Sequence, residues 1–433
     1  MKNVKFTHVQ LNSWNYSFLL TVIIFSAYFP ILENDFLYYW DDQWVVINQY
    51  TENGLNMQNL WAIFTEFYHG QYAPLNESLY LFLYSIFGYK PFWFHLTSLL
   101  LHIANALLVY VCICRLLELS QKIVVEHKGA TAFFTALVFA IHPFNVESVA
   151  WMSASKVLIY SFFYLLATIA FISYLKNEKL KYFFLTLFLF ICSFFGKEQA
   201  VSFPLWILLI CWVTGHSFKN PKVWFAAIPF LILSLAFGII TILSQTGGSL
   251  FEQEGYPAWQ RIVYACYSFT EYLLKSVFSF KLSYIYPFPS LVGDPLPLWL
   301  LLYPMLLTIL LLAFWKSVIT HKVWTFGLLF FGIHIAVALH IVSLSRFTVV
   351  ADRYAYMATI GTCFILAYYS VYFIKKWKGY RKTGLIAVLS AYLLYFGIYM
   401  NIRSRLWYDT DSLKKEIREL LKERNDYELR VKN

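Results

Sequence analysis

Residues 91–114, PFWFHLTSLLLHIANALLVYVCIC, run for 24 positions without an Asp, Glu, Lys or Arg. A bilayer's hydrocarbon core is about 30 Å thick, and roughly 20 apolar residues of helix cross it, within a range of about 17–25. Ten further charge-free runs lie on either side: 6–32, 129–146, 157–175, 182–196, 199–218, 223–251, 295–315, 323–345, 354–374 and 383–402. Only 182–196 falls slightly short of the length needed. The whole chain carries 13% charged residues over 433 positions, against about 25% in a soluble domain. The six Cys sit in apolar surroundings and read as small core hydrophobes rather than a disulfide framework. Residues 6–32 are too long for a signal peptide and lack a small-residue cleavage site. The expected fold class is an all-α polytopic membrane protein with about 11 transmembrane helices.

Charge sets the orientation. With the N-terminus inside, the inner segments hold 17 Lys and Arg against three acidic residues, Glu118, Glu126 and Glu178. Short inner loops are enriched in Lys and Arg in this way. The net charge of +10 therefore reflects topology, and nucleic acid is not an expected partner. Residues 1–402 read as the transmembrane domain. Within it, 33–90 form a first extracytoplasmic loop with two helix-like pieces, near 55–68 and 76–88. Residues 245–294 form an outer segment in which 261–281 is re-entrant or interfacial. Residues 403–433 read as a C-terminal extracytoplasmic amphipathic helix, with Leu413, Ile417, Leu420 and Leu421 at helical spacing.

On this topology the unusual polar clusters share the outer face. Asp41 and Asp42 follow the first run. His142, Glu147 and Lys156 lie around the turn between the third and fourth. Lys197 and Glu198 lie between the fifth and sixth, and Asp352 and Arg353 just before the tenth. Ionisable groups at membrane depth are costly and mark sites by default. A helix N-cap also accounts for Asp41-Asp42, and a helix-end ion pair for Lys197-Glu198. His95, His102 and Asn105 read either as a hydrogen-bonded seam between helices or as support for a site. Carboxylates at the interface suit a general base or a divalent metal. Cations beside them suit a phosphate leaving group as its charge develops. A transporter or flippase of a lipid-linked or anionic substrate is the alternative, although transporters place such groups at the midplane of symmetric halves, and no repeated halves are visible.

Several stretches carry a family resemblance: Tyr39-Trp40-Asp41-Asp42-Gln43 with Asn48, Tyr72-Ala73-Pro74-Leu75, and His95-Leu96-Thr97 with Leu101-His102 and Asn105. Further on come Ala140-Ile141-His142-Pro143-Phe144-Asn145-Val146-Glu147-Ser148-Val149-Ala150-Trp151, Gly196-Lys197-Glu198-Gln199, and Ala351-Asp352-Arg353-Tyr354-Ala355-Tyr356 with Ile360-Gly361. The chain resembles the C-type (GT-C fold) glycosyltransferases of the transmembrane-and-tetratricopeptide-repeat O-mannosyltransferase group and their bacterial relatives. That resemblance implies a polyprenyl-phosphate-linked sugar as donor, an acceptor hydroxyl on protein, lipid or glycan, and an inverting transfer at the extracytoplasmic face of a bacterial inner membrane. It implies Asp41 or Asp42 as the catalytic carboxylate, while charge and position put Lys197, Arg353, Lys156 and His142 at the donor phosphate. Glu147, Glu198, Asp352, His95 and His102 would support them. Metal use stays open: Asp41, Asp42 and Glu147 are the ligands for Mg or Mn if one is used. The chain departs from the family after Trp151, where Ser153-Ala154-Ser155-Lys156-Val157 stands in place of Ser-Gly-Arg-Lys-Asp. It also carries a charged helix near 409–431 where the family has its repeat array.

Overall fold

The computed structural model of the protein describes residues 7–246, 255–341 and 348–422. Among them the chain is helical with no strand, only isolated bridges joining Tyr68 to Gln71 and Tyr286 to Val350. α1 (Thr7–Tyr28) is followed by four shorter helices, α2 (Asp42–Val45), α3 (Gln49–Glu52), α4 (Met57–Thr65) and α5 (Pro74–Phe87). Next come α6 (Pro91–Leu119), α7 (Lys128–Ala140), the short α8 (Val146–Ala150), α9 (Lys156–Asn177), α10 (Leu180–Gly196) and α11 (Phe203–Val213). The remainder is α12 (Pro221–Thr246), α13 (Ala258–Phe278), α14 (Leu302–Thr320), α15 (Lys322–Ile335), α16 (Thr359–Lys376), α17 (Gly379–Leu406) and α18 (Thr410–Lys422).

Every charge-free run holds a helix, but eleven full spans do not follow from length and composition. Six helical segments are long and apolar enough to cross a bilayer, or seven if α7 and the segment Pro143–Ala150 count as one span bent by 51°. α10, α11 and α15 are shorter, and α16 is less apolar because Tyr and a terminal Lys pair interrupt it. The bend has a local cause. Pro143 has no N–H to donate and disfavours helical backbone at the preceding residue, so α7 ends at Ala140, inside the run 129–146. The first loop is helical as expected, and its helices start on recognisable signals. Asn48 caps α3 in a reciprocal capping box, Asn56 accepts from Asn59 N at 2.8 Å to cap α4, and Pro74 opens α5. α13 covers most of 261–281 and is one-sided: Val263, Tyr264 and Tyr272 are buried while Trp259, Ile262 and Phe278 are exposed.

α6 is the centre of the bundle, packed on α1, α7 and α9. His102 joins three elements: its ring bonds Ala140 O at 2.9 Å and Tyr356 Oη at 2.8 Å. Because Ala140 O can only accept, Nε2 carries the proton and Nδ1 accepts from the tyrosine. Asn105 Nδ2 donates to Leu158 O at 3.0 Å, so the seam reading accounts for both residues.

The C-terminal segment folds back onto the first loop. Asp35 N donates to Tyr408 O at 2.9 Å, Thr410 Oγ1 bonds Tyr38 O, and Lys414 sits 5.3 Å from the Tyr39 ring centre. Leu413 of α18 is fully buried, with Ile417 packed beside it. The rest of the expected amphipathic helix, 423–431, lies outside the described residues, as do Lys2, Lys5 and 247–254 of the outer segment.

Candidate functional site

A cleft of about 170 Å³ opens where six separate stretches of the chain meet, and its lining includes Asp41, Lys156, Lys197, Glu198 and Arg353. The remaining walls come from the 69–73 turn, Trp151, Ser153, Tyr354 and the end of α12.

Asp41 precedes α2 at the N-cap position, yet its side chain makes no capping bond, and it lines the cleft instead. Burial raises its carboxyl above the ordinary value, while Lys156 first, then Arg353 and a hydrogen bond from the Trp44 side chain pull it back. Asp42 plays a different part. Fully buried, it accepts from Leu37 N at 2.9 Å on one oxygen and from Ser153 N at 3.0 Å and Ser153 Oγ on the other. It thereby closes the 37–42 loop, in which Tyr39 has φ +62°, and docks that loop on the turn before α9. Burial brings its carboxyl up to about 6 against the pull of these donors.

Lys156, the first residue of α9, bonds Gln71 Oε1. Gln71 belongs to a two-residue turn whose central residues, His69 (φ +47°) and Gly70 (φ +72°), both have positive φ, and Tyr68 and Gln71 exchange both backbone bonds across it. That is the type I′ geometry. Lys197 is only 2% exposed and sits 4.6 Å from the Tyr354 ring centre. Burial drives its ammonium down to about 7, with Glu198 opposing. Among the described residues neither Lys156 nor Lys197 has a carboxylate within 4.0 Å. Arg353 is held: its backbone N donates to Glu147 Oε2 at 2.9 Å, its guanidinium pairs with Glu147 Oε1, and it lies over Trp151 and Tyr354 at 5.2 and 5.1 Å.

Lys197 reaches this position because α10 ends directly against α9. At Gly196 an added Cβ would come within 2.7 Å of Tyr160 N and 3.0 Å of its Cα. Backbone cannot yield as a side-chain tip can. Gly196→Ala should therefore lower the thermal stability of the detergent-solubilised protein by about 1–3 kcal/mol. It should also weaken any function of the cleft; an unchanged melting temperature would count against this close packing.

Other expected site residues lie elsewhere. His142 is buried under Phe396, bonding Ser276 O at 2.9 Å and accepting from Phe144 N. It does not line the cleft, so it cannot contact a phosphate there. Asp352 points away from Lys197 and Arg353, pairing with Arg403 at 2.9 Å and accepting from Tyr286 Oη at 2.8 Å. His95 is buried outside the lining, and His102 belongs to the seam described above. Asp42 and Glu147 have both oxygens engaged by protein donors, which leaves Asp41 as the remaining carboxylate of the expected metal set. Among the described residues no three His, Cys, Asp or Glu side chains could hold a metal ion. These residues do not fit a metal ligand set as arranged.

The sequence reading missed Gln71, Ser153, Tyr354 and the Thr241, Ser244 and Gln245 group. The last three lie at the end of α12, inside a charge-free run, and a hydroxyl–hydroxyl–amide set there is a polar signal that a charge count passes over. It also missed Arg403 as a partner, having placed it at the start of the C-terminal extracytoplasmic helix.

No family model and no solved structure matches the chain. Among curated proteins it is similar to the human protein O-mannosyl-transferase TMTC1, 28% identical over 196 residues, covering 40% of this chain and 20% of the relative. It is similar to the mouse TMTC1 (Mus musculus) at 28% over 187 residues, 37% and 18% of the two chains. Drosophila melanogaster Tmtc3 matches at 31% over 121 residues, 25% and 13%. The chain thus spans a fifth or less of the length of these relatives. The similarity is partial, and it relates the chain to glycosyltransferases.

Proposed function

We propose that the protein is a multi-pass membrane glycosyltransferase of the O-mannosyl-transferase kind. It moves a sugar from a polyprenyl-phosphate donor to an acceptor hydroxyl at the extracytoplasmic face, with inversion at the anomeric carbon. The observation that carries this reading is a single cleft lined by the half-buried Asp41 carboxylate together with two ammonium groups, Lys156 and Lys197, that have no ion-pair partner within 4.0 Å among the described residues. The similarity to O-mannosyl-transferases supports it. In this proposal the helices of the eleven charge-free runs cross the bacterial inner membrane with the N-terminus inside.

The chemistry follows from charge. Asp41 removes the proton of the acceptor hydroxyl as its oxygen attacks the anomeric carbon. The bond from that carbon to the phosphate oxygen breaks, and its electron pair leaves with the lipid phosphate. Lys156 and Lys197 meet the charge that develops there, in a place where water is largely excluded. Glu147 fixes the Arg353 guanidinium beside them. Asp42, locked to Leu37 and Ser153, positions Asp41 rather than acting on substrate. No step here requires a metal.

The test is incubation of the purified protein with polyprenyl-phosphate-linked mannose and a Ser/Thr-containing acceptor. A glycosylated acceptor with stoichiometric polyprenyl phosphate is the expected result. Movement of the lipid-linked sugar across proteoliposomes without any covalent product would favour the flippase reading instead.

Lys197→Met should raise KM for the donor about tenfold, since a charge-assisted bond to phosphate is lost, with a smaller change in kcat. The pH profile carries a sign. In the unliganded protein the Lys197 ammonium loses its proton as pH rises through about 7, so donor KM should climb above that pH. In Lys197→Met that rise should flatten, and an identical alkaline limb in the variant would remove Lys197 from the donor site.

A further inference from the structure

At the other end of the α9–α10 hairpin lies a second and larger cavity, of about 510 Å³. α9 begins at Lys156 in the cleft and runs for 22 residues, roughly 33 Å at 1.5 Å per residue. That is about one hydrocarbon thickness, so on a transmembrane reading this cavity faces the opposite leaflet. Its size lies within the range of small-molecule sites, about 300–1,000 Å³.

The lining is divided by chemistry. Glu178, Asn220 and Lys222 bring one carboxylate, one amide and one ammonium to it and His216 an imidazole already bonded to Thr214 Oγ1 at 2.9 Å, while Leu180, Phe183 and Phe225 bring apolar surface. Glu178 forms the turn between α9 and α10 with φ +53°. Asn220 Oδ1 accepts from Lys222 N at 3.0 Å, which leaves the amide NH2 to donate. Among the described residues neither Glu178 nor Lys222 has an ion-pair partner within 4.0 Å. Exposed apolar side chains run from the cavity along two helices: Leu180, Phe184 and Phe188 on α10, and Phe225, Ile228 and Ile232 on α12. The two helices are packed together by rings, Phe190 on Phe230 and Phe194 on Phe237.

We infer that this cavity binds a diacyl aminophospholipid. Its phosphate meets Lys222 and the Asn220 amide, its primary ammonium meets Glu178, and its chains follow the apolar rows of α10 and α12. One carboxylate and one ammonium lining the same cavity complement a headgroup that carries one charge of each sign. An anionic headgroup without an amine would leave Glu178 beside like charge, and a quaternary amine cannot donate a hydrogen bond to it. The inference does not depend on the reaction in the cleft.

Native mass spectrometry of the detergent-solubilised full chain tests it, with palmitoyl-oleoyl phosphatidylethanolamine, phosphatidylcholine and phosphatidylglycerol offered at equal concentration. Phosphatidylethanolamine should be retained most. Glu178→Gln should weaken it about tenfold and abolish its advantage over phosphatidylcholine, while Lys222→Met should weaken all three. Both side chains are exposed at a turn and a helix start, so folding should be unaffected, and equal melting temperatures check this. Asp41→Asn should bind the lipid as the parent does. The assignment is overturned if phosphatidylglycerol is retained more strongly, or if the Glu178→Gln preference is unchanged. It is also overturned if soluble phosphoethanolamine displaces the lipid at equal concentration, since the apolar rows would then contribute nothing.

Discussion

Asp41→Asn should melt with the parent protein and transfer sugar about 10²–10⁴-fold more slowly, the range general-base catalysis supplies. The amide keeps the size of the carboxyl at a half-buried position lining the cleft, and its oxygen can still accept from the Trp44 side chain. The acid limb of the parent's activity should lie above the pH at which an ordinary aspartate titrates, because burial raises the Asp41 carboxyl; activity then falls as pH drops and the base becomes protonated. Asp42→Asn should behave in the opposite manner. Its NH2 would face the N–H of Leu37 or of Ser153, so a buried donor loses its acceptor. The cost is about 1–3 kcal/mol of stability, with activity reduced through a displaced Asp41. The pair separates roles that their adjacency conceals. An Asp41→Asn protein with full transfer activity beside a well-folded, inactive Asp42→Asn protein would move the base assignment to Asp42.

The largest loss of stability is expected from Arg403→Ala. Arg403 and Asp352 are 1% and 0% exposed and pair at 2.9 Å, and Arg403 Nη1 also donates to Leu282 O. Truncating the arginine leaves a buried carboxylate without its counter-charge, at a cost of about 3–5 kcal/mol. Arg403→Met combined with Asp352→Leu should recover much of that, since a buried pair replaced on both sides by apolar groups is often near neutral. Thermal unfolding in one detergent, with parent, single and double variants side by side, checks both statements. A single variant as stable as the parent would show that Asp352 is not confined as described. Because Asp352 precedes Arg353, the same loss should loosen the Arg353–Glu147 pair at the cleft.

Much of the site was legible because its residues break a pattern. In a chain with so few charges, Lys156, Lys197-Glu198 and Arg353 stand at the ends of apolar runs, where desolvation makes an idle charge costly. The same logic misassigned His142 and Asp352. Both are polar groups at the edge of an apolar run, and both are satisfied inside the protein, by Ser276 O and by Arg403. A count of charges along the chain sees that a group is buried but not which partner is buried with it.

Apolar run length and loop charge alone are enough to read the helical class, the runs in which helices lie and the run ends at which ionisable groups gather. Each of these follows from a local quantity, the length of an apolar run or the charge of a short loop. The tertiary structure alone decided which carboxylate faces the cleft and which is locked beneath it. Asp41 and Asp42 are neighbours in sequence with the same chemistry. They differ only because Ser153, 111 residues further on, and Leu37 claim one of them, and long-range hydrogen bonds of that kind leave no periodicity to read.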